Sequence, residues 1–216
     1  MISAIIFDLD GLLVDSEPCW EQVRQKVAAE YGQTWNQADQ RQVMGVSTDF
    51  WADYMIRRLA LDMSQPEVIE RVVGEMLSIY HDHIPYLPGA IQAVHLAAGL
   101  YPTALASGSE RSLIDVVVHD AAMLGMFQAV VCTDDLPHGK PAPDVYLEAA
   151  RQLGVNPESC VCVEDSPKGI LAGKAAGMKV IAVPDMRFSP DREVIQQADV
   201  ILKSLEEFTA GLIQSL

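Results

Sequence analysis

The chain has 216 residues, of which 30 are Asp or Glu and 15 are Lys or Arg, so its formal net charge at pH 7 is −15. Nucleic-acid binders need basic surface that displaces counterions, and anionic membranes repel acidic proteins, so we expect neither partner. Half of the residues are hydrophobic and 21% are charged, as in ordinary globular proteins. The length favours one large domain, or one domain with an insert.

The start of the chain lacks the features of a targeting segment. It reaches Asp8 and Asp10 directly after a short apolar run, whereas a signal peptide needs a basic start and a longer apolar stretch. The most apolar region, 90–106, is interrupted by polar residues, glycine and proline, so it does not resemble a membrane span. The four cysteines form no Cys-x-x-Cys pair and are interpreted as buried small hydrophobic residues. We therefore expect a reduced, cytoplasmic and monomeric protein.

The first predicted elements are one strand and a long helical block. Residues 3–9 form an apolar run with β-branched residues that ends in acids, which is typical of a buried strand. From 16 to 83 the apolar residues recur at helical spacing, with Ser16 placed to cap a helix that carries Pro18 in its first turn. This block predicts several consecutive helices and no strand.

Beyond residue 85 the pattern alternates between helices and strands. In order, the sequence predicts helix 90–98, strand 101–106, helix 109–123, strand 129–132, helix 143–153, strand 159–163, helix 166–176, strand 179–183, strand 200–202 and a final helix opened by a capping box at 204–207. Such alternation predicts an α/β fold: a Rossmann-like parallel sheet with helices on both faces. The helical block interrupts it, so we expect a catalytic core formed by 1–15 and 86–216 and an inserted all-helical cap at 16–85.

Polar and charged residues follow four of the predicted strands. They are, in chain order, Asp8 and Asp10, Ser107 and Gly108, Lys140, and Glu164 and Asp165. Ligands of open α/β sheets bind at the carboxyl ends of the strands. Two facing pairs of acids are costly unless a cation lies between them, and hard oxygen ligands suit Mg²⁺, which also accepts phosphate oxygens. The sequence therefore predicts a site for Mg²⁺ and a phosphate group.

These residues resemble the four motifs of the haloacid dehalogenase-like (HAD) superfamily, in the order of that family. The segments are Asp8-Leu-Asp-Gly11, Ser107, Lys140 and Glu164-Asp165, and the longer runs 8–16 and 139–144 add to the likeness. The resemblance extends over essentially the whole chain. It implies a Rossmann-like core with a helical cap inserted after the first strand, in agreement with the periodicity.

The resemblance also implies roles for individual residues. Asp8 is similar to the nucleophile that attacks phosphorus and becomes an aspartyl phosphate, and Asp10 to the general acid that protonates the leaving alkoxide and then activates water. Ser107 and the Gly108 amide resemble phosphate donors. Lys140 resembles the lysine that neutralises the nucleophile and the transferring phosphoryl group.

The same likeness assigns a metal site and a substrate site. Asp165 resembles a direct Mg²⁺ ligand beside Asp8 and the Asp10 carbonyl, and Glu164 is expected to hold a metal-bound water. Phosphate or substrate contacts are expected from Gly11 and, in the cap, from Trp20, Gly45 and Ser47. Opening of the cap about 14–17 and 85–89 would control access to the site.

Departures from related subclasses favour a phosphatase. Dehalogenases and phosphonoacetaldehyde hydrolases lack the second aspartate of the first motif, which is Asp10 here, and the latter use a cap lysine, whereas Lys26 lies well inside the first cap helix. A β-phosphoglucomutase-like isomerase is the main alternative. Its cap loop carries an arginine for a second phosphate where this chain has Thr48, and its cap histidine is missing. A non-catalytic binding module would require loss of a motif residue.

The substrate expected is a small phosphorylated metabolite. The runs 15–20, 136–143 and 198–205 look most like those of bacterial phosphatases that act on hexose and hexitol phosphates, including 2-deoxyglucose 6-phosphate. Nucleoside or pseudouridine monophosphates, glycerol phosphate and phosphoglycolate remain alternatives. The cap face around 45–48 with Trp20 would decide between them.

Overall fold

A parallel sheet forms the centre of the molecule. The computed structural model describes residues 1–44, 46–188 and 191–216. Its strands are β1 (Ala4–Phe7), β2 (Thr103–Ser107), β3 (Ala129–Cys132), β4 (Cys160–Glu164), β5 (Lys179–Ala182) and β6 (Val200–Ile201). They form a six-stranded sheet in the order β3-β2-β1-β4-β5-β6, and every neighbouring pair is parallel. This strand order is the doubly wound, Rossmann-like one, so the predicted fold class is confirmed.

Helices cover both faces of the sheet. The described helices are α1 (Glu17–Glu30), α2 (Gln37–Val43), α3 (Thr48–Leu59), α4 (Gln65–Asp82), α5 (Ala90–Ala98), α6 (Arg111–His119), α7 (Asp144–Leu153), α8 (Pro167–Ala175), α9 (Arg192–Ile195) and α10 (Ala210–Gln214). Side chains of β1 alternate between two cores: Ile5 and Phe7 pack with α5 and α6, whereas Ala4 and Ile6 pack with α7 and α8. Because β1 is buried on both faces, its residues are apolar without alternation.

Some of the predicted helix starts and caps differ from the structure. The helix expected at 109–123 begins at Arg111 and ends at His119, because the carboxylate of Glu110 caps it by accepting a hydrogen bond from Ser112 N, 2.7 Å away. The box at 204–207 forms a short 3₁₀ turn instead, since Ser204 Oγ accepts from Glu206 N, and α10 starts later, capped by Thr209. Ser16 does precede α1, but its hydroxyl makes no capping hydrogen bond.

The chain enters and leaves the block of α1–α4 through two segments that are bonded to each other. Val14 forms an antiparallel bridge with Tyr86, Asp15 N donates to Pro85 O at 2.8 Å, and Leu87 N donates to Leu13 O at 2.9 Å. The block therefore meets the sheet at the carboxyl end of β1. Division into a core (1–15 and 86–216) and a cap (16–85) stays a prediction. No helix among the described residues is both long and apolar enough to span a membrane.

Candidate active site

The predicted site residues of the core lie at one edge of the sheet. Because the strands are parallel, the residues that follow β1, β2 and β4 emerge side by side. The strand order reverses between β1 and β4, and the crevice at such a reversal is where α/β proteins bind ligands. Asp8 follows β1 and Asp165 follows β4, so both acids lie at this crevice.

Lys140 joins two carboxylates that come from different strands. Its Nζ donates to Asp8 Oδ1 at 2.6 Å, to Glu164 Oε1 at 2.5 Å and to Ala106 O at 3.3 Å. Burial lowers the pKa of the Lys140 ammonium, but the negative charges of Asp8 and Glu164 outweigh burial and raise it above its usual value. Lys140 is therefore charged at neutral pH and forms the positive centre of the site.

Glu164 is fully buried, and both of its carboxylate oxygens accept hydrogen bonds. Tyr146 Oη donates to its Oε1 at 2.6 Å, and the backbone N–H groups of Asp165 and Ser166 donate to its Oε2, each at 3.1 Å. Burial raises the pKa of Glu164, but the charge and hydrogen bond of Lys140 outweigh it and lower the pKa. Glu164 is thus an ionised side chain that fixes the position of Lys140.

Asp8, Glu164 and Asp165 form an acidic cluster in which one oxygen of each lies within 4.8 Å of the others. Burial, reinforced by Glu164 and Asp10, raises the pKa of Asp8 to about 7 in spite of Lys140. The pKa of Asp165 is also raised well above its usual value, by burial and then by the charges of Glu164 and Asp8. Two of the three acids therefore resist ionisation where no cation is present, and a divalent ion bound to their oxygens would remove that cost.

Gly11 and Asp165 approach each other closely. Gly11 has φ +74°, a left-handed conformation, and a β-carbon at this position would overlap the Asp165 carboxylate. Only glycine meets both requirements without strain. The Asp-x-Asp-Gly pattern thus leaves room for an acid from β4, which supports an oxygen-rich metal site between the two strands.

Asp10 is held by two serine hydroxyl groups at the carboxyl end of β2. Ser109 Oγ donates to Asp10 Oδ2 at 2.5 Å, and Ser107 Oγ lies 3.3 Å from the same oxygen. Ser109 N in turn donates to Ser107 Oγ at 3.0 Å. The other carboxylate oxygen, Asp10 Oδ1, is buried and has no hydrogen-bond partner among the described residues. Gly108 is exposed beside this group.

The cap residues expected to contact substrate lie in different environments. Trp20 is only 9% exposed and packs against Trp51, with ring centroids 5.9 Å apart. Ser47 is exposed and caps α3 by accepting from Phe50 N at 3.4 Å. Gly45 lies outside the described residues. Their contacts with substrate stay predictions, as do the catalytic and metal roles assigned to the core residues.

Sequence reasoning missed two residues that contact the expected site residues. Ser109 binds Asp10, and it could have been found as the second hydroxyl of the run Ser107-Gly108-Ser109. Tyr146 binds Glu164 from α7, and its position in an amphipathic helix gave no sign of a polar contact. Aromatic residues at helical spacing usually indicate core packing.

The chain is similar to known proteins over most of its length. A family model described as haloacid dehalogenase-like hydrolase matches residues 5–183. Hexitol phosphatase B of Escherichia coli (strain K12) is 38% identical over 213 residues, which are 97% of this chain and 95% of that protein. A probable pseudouridine-5'-phosphatase of Drosophila melanogaster is 33% identical over 216 residues, 96% of this chain and 91% of that protein.

A solved structure shows a similar fold. The crystal structure of β-phosphoglucomutase from Clostridium difficile matches with a TM-score of 0.82 and 23% identity, over 100% of this chain and 96% of that one. At this identity the likeness concerns the fold alone.

Proposed function

Because the chain belongs to the haloacid dehalogenase-like hydrolase family, we propose that it is a Mg²⁺-dependent phosphatase that hydrolyses a sugar or polyol phosphate. The observation that carries the proposal is the contact of Lys140 with Asp8, 2.6 Å away, beside an acidic cluster that fits a metal ion. Similarity to a hexitol phosphatase over nearly the whole chain supports phosphomonoester hydrolysis and a polyol substrate.

Asp8 is the proposed nucleophile. Lys140 occupies Oδ1, so the second carboxylate oxygen is the one that attacks phosphorus, and the ester oxygen of the substrate leaves as an aspartyl phosphate forms. Lys140 neutralises both the carboxylate and the charge on the equatorial phosphoryl oxygens. Ser107 and the Gly108 amide are the proposed donors to the phosphate.

Asp10 is the proposed acid and base. Its Oδ2 is held by Ser109, so the unpartnered Oδ1 is the oxygen from which a proton passes to the leaving alkoxide. The resulting carboxylate then takes a proton from the water that hydrolyses the aspartyl phosphate. The two serine hydroxyls fix the orientation of the carboxylate through both steps.

The oxygen donors of the acidic cluster fit Mg²⁺. We propose that Asp8, Asp165 and the Asp10 carbonyl would hold the ion, with Glu164 acting through water. Bound Mg²⁺ supplies positive charge that lets an anionic carboxylate approach an anionic phosphate. We further propose a monomeric cytoplasmic enzyme without nucleic-acid or membrane partners, in keeping with the charge of −15 and the unpaired cysteines among the described residues.

Phosphate release tests the proposal. The protein with Mg²⁺ should release phosphate from p-nitrophenyl phosphate and, more efficiently, from sorbitol 6-phosphate; fructose 1-phosphate, pseudouridine 5'-phosphate and glycerol 3-phosphate complete the panel. EDTA and Asp8→Asn should each abolish release, whereas the matched change of exposed Asp62→Asn should leave it intact. Full activity of Asp8→Asn would disprove the nucleophile, and no release from any ester would disprove the function.

A further inference from the structure

Buried polar atoms without a partner are concentrated in one short segment of the chain. Among the described residues, the buried side-chain nitrogen and oxygen atoms that lack a hydrogen bond are Asp10 Oδ1, Ser16 Oγ, Arg24 Nε and Arg24 Nη1. Such groups are rare in native proteins because burying them unpaired is costly. All four atoms belong to residues between the end of β1 and the middle of α1. This segment runs from Asp10, the proposed acid, into the predicted cap.

Arg24 is the most unusual member of this group. The residue is 3% exposed, and its guanidinium carbon lies 4.9 Å from the ring centroid of Trp20 and 5.7 Å from that of Trp51. Arg58, also in the predicted cap, donates to both carboxylate oxygens of Asp39 instead. The guanidinium of Arg24 thus contacts two tryptophan rings, but its Nε and Nη1 donors have no partner among the described residues. An arginine that only stabilises the cap would be expected to have its donors paired, as Arg58 does.

The direction of Arg24 brings its charge towards the sheet. Side chains on a helix lean towards the N-terminus, and the contact with Trp20, one turn earlier, shows that Arg24 does so. The N-terminus of α1 adjoins the segment where the chain leaves β1. The guanidinium is therefore on the side of the cap that faces the catalytic edge.

Glu17 provides an acceptor beside this donor. It lies two turns before Arg24 on the same face of α1. Burial raises the pKa of Glu17, and the charge of Arg24 acts against burial and lowers it. Gln40 Nε2 donates to Glu17 Oε2 at 2.9 Å and fixes the side chain, while a carboxylate has further acceptor sites.

We propose that Arg24 and Glu17 bind the hydroxyl groups of a neutral polyol that is esterified to the phosphate, and that they thereby determine substrate specificity. This inference rests on the proposed phosphatase function. Arg24 donates hydrogen bonds to the polyol hydroxyls and Glu17 accepts hydrogen bonds from them, since each hydroxyl is both an acceptor and a donor. The Trp20 ring covers the C–H groups of the polyol. Glu17 places a negative charge on the same face of α1 as Arg24, so a second phosphate or a carboxylate is disfavoured.

Kinetics with two substrates test the proposal. Arg24→Met should lower kcat/KM for sorbitol 6-phosphate at least tenfold, mainly through KM, and leave kcat/KM for p-nitrophenyl phosphate within twofold, because that ester has no hydroxyls. Arg24→Lys keeps the charge but loses the planar donor fork, so it should show a smaller loss of the same kind. The matched control Arg58→Met should lower Tm without changing the ratio of the two kcat/KM values.

Binding provides a readout that is independent of turnover. In Asp8→Asn protein, adding Arg24→Met should weaken calorimetric binding of sorbitol 6-phosphate at least tenfold. An equal loss on both substrates, or no loss, would overturn the proposal, as would a loss confined to glucose 1,6-bisphosphate, which would make Arg24 an anion site. Absence of hydrolysis by the unsubstituted protein together with an Arg24-dependent binding loss would refute the phosphatase function and keep the polyol site.

Discussion

Lys140 contacts two carboxylates, Asp8 and Glu164, and its side chain is only 12% exposed. Charges at such depth interact more strongly than at the surface because less water screens them. In the proposed chemistry Glu164 neither attacks phosphorus nor transfers a proton, but it keeps Lys140 in place and charged. Buried Glu164 therefore positions the Lys140 ammonium next to the Asp8 carboxylate.

Replacement of Lys140 should affect both activity and stability. We expect Lys140→Met to lower kcat for p-nitrophenyl phosphate about 100-fold or more, because the charge beside the proposed nucleophile is lost. The free energy of unfolding should fall by about 3 kcal/mol, since removing one partner leaves buried charge uncompensated. Urea denaturation and phosphate release measure the two effects, and exposed Lys203→Met is the control. Wild-type activity in Lys140→Met would contradict the assignment.

Replacement of Asp165 by asparagine should raise the stability of the metal-free protein and abolish its activity. Its pKa is raised in the folded protein, and an acid with a raised pKa costs stability at every pH above its unfolded value, here near 3.8. Asp165→Asn removes this cost, so in EDTA at pH 7.5 we expect Tm to rise by about 3 °C.

The effect of Mg²⁺ on Tm tests whether Asp165 is a metal ligand. It should raise the Tm of the unsubstituted protein, because a ligand that binds only the folded state stabilises it. The Tm of Asp165→Asn should not respond to Mg²⁺, and its phosphatase activity should be lost. An equal Mg²⁺-dependent rise in both proteins would exclude Asp165 as a ligand.

Helix α8 packs against Glu164 through a glycine. A β-carbon at Gly169 would overlap the Glu164 carboxylate, which Lys140 and Tyr146 hold in place. Gly169→Ala should therefore displace Glu164, lower the free energy of unfolding by about 2 kcal/mol and reduce activity. Gly74→Ala in α4 is the matched control, because the added carbon would meet no atom within 4 Å outside the backbone of its own helix and the residues beside it. It should stabilise the protein by about 0.5–1 kcal/mol.

Helices α2 and α3 are joined by an ion pair between buried Asp39 and half-buried Arg58. Asp39 is 4% exposed. Burial raises its pKa, but hydrogen bonds from Arg58 and the Asn36 amide outweigh burial and lower it. A lowered acid pKa stabilises the fold above the unfolded value of 3.8, and this contribution is lost as the pH falls through the lower folded value.

The Asp39→Asn variant tests that contribution. Asparagine keeps an acceptor for the helix cap but removes the charge, so we expect a loss of about 2 kcal/mol at pH 7. The difference from the unsubstituted protein should shrink as the pH is lowered below about 4. Urea denaturation at pH 7, 5 and 3.5 measures it, and a difference that stays constant over this range would contradict the pKa argument.

The order of helices and strands could be predicted from the sequence because the apolar residues of each segment recur at the spacing of one or the other. The strand at 129–132 has the predicted bounds, and α5 does too. Ends set by side-chain capping were less predictable. Glu110 rather than Ser109 caps α6, because the Ser109 hydroxyl is used by Asp10. That competition depends on a residue 99 positions away, which no local pattern contains.

The sequence motifs predicted which residues of the core come together at the candidate site. Asp8 and Glu164 both lie within hydrogen-bond distance of Lys140 Nζ because parallel strands end at one edge. Arg24 was not anticipated, since an arginine in an amphipathic helix normally indicates a solvated face. Its burial results from the packing of α1 with Trp51 of α3, which is a tertiary contact.

The central position of β1 has a consequence for how the protein loses activity. Ile5, Ile6 and Phe7 pair with β2 on one side and β4 on the other, so their amides should exchange hydrogen only when the whole sheet opens. Edge strand β6 has two residues and can fray without disturbing them. The proposed nucleophile directly follows this segment, so we expect partly unfolded molecules to keep Asp8 in place.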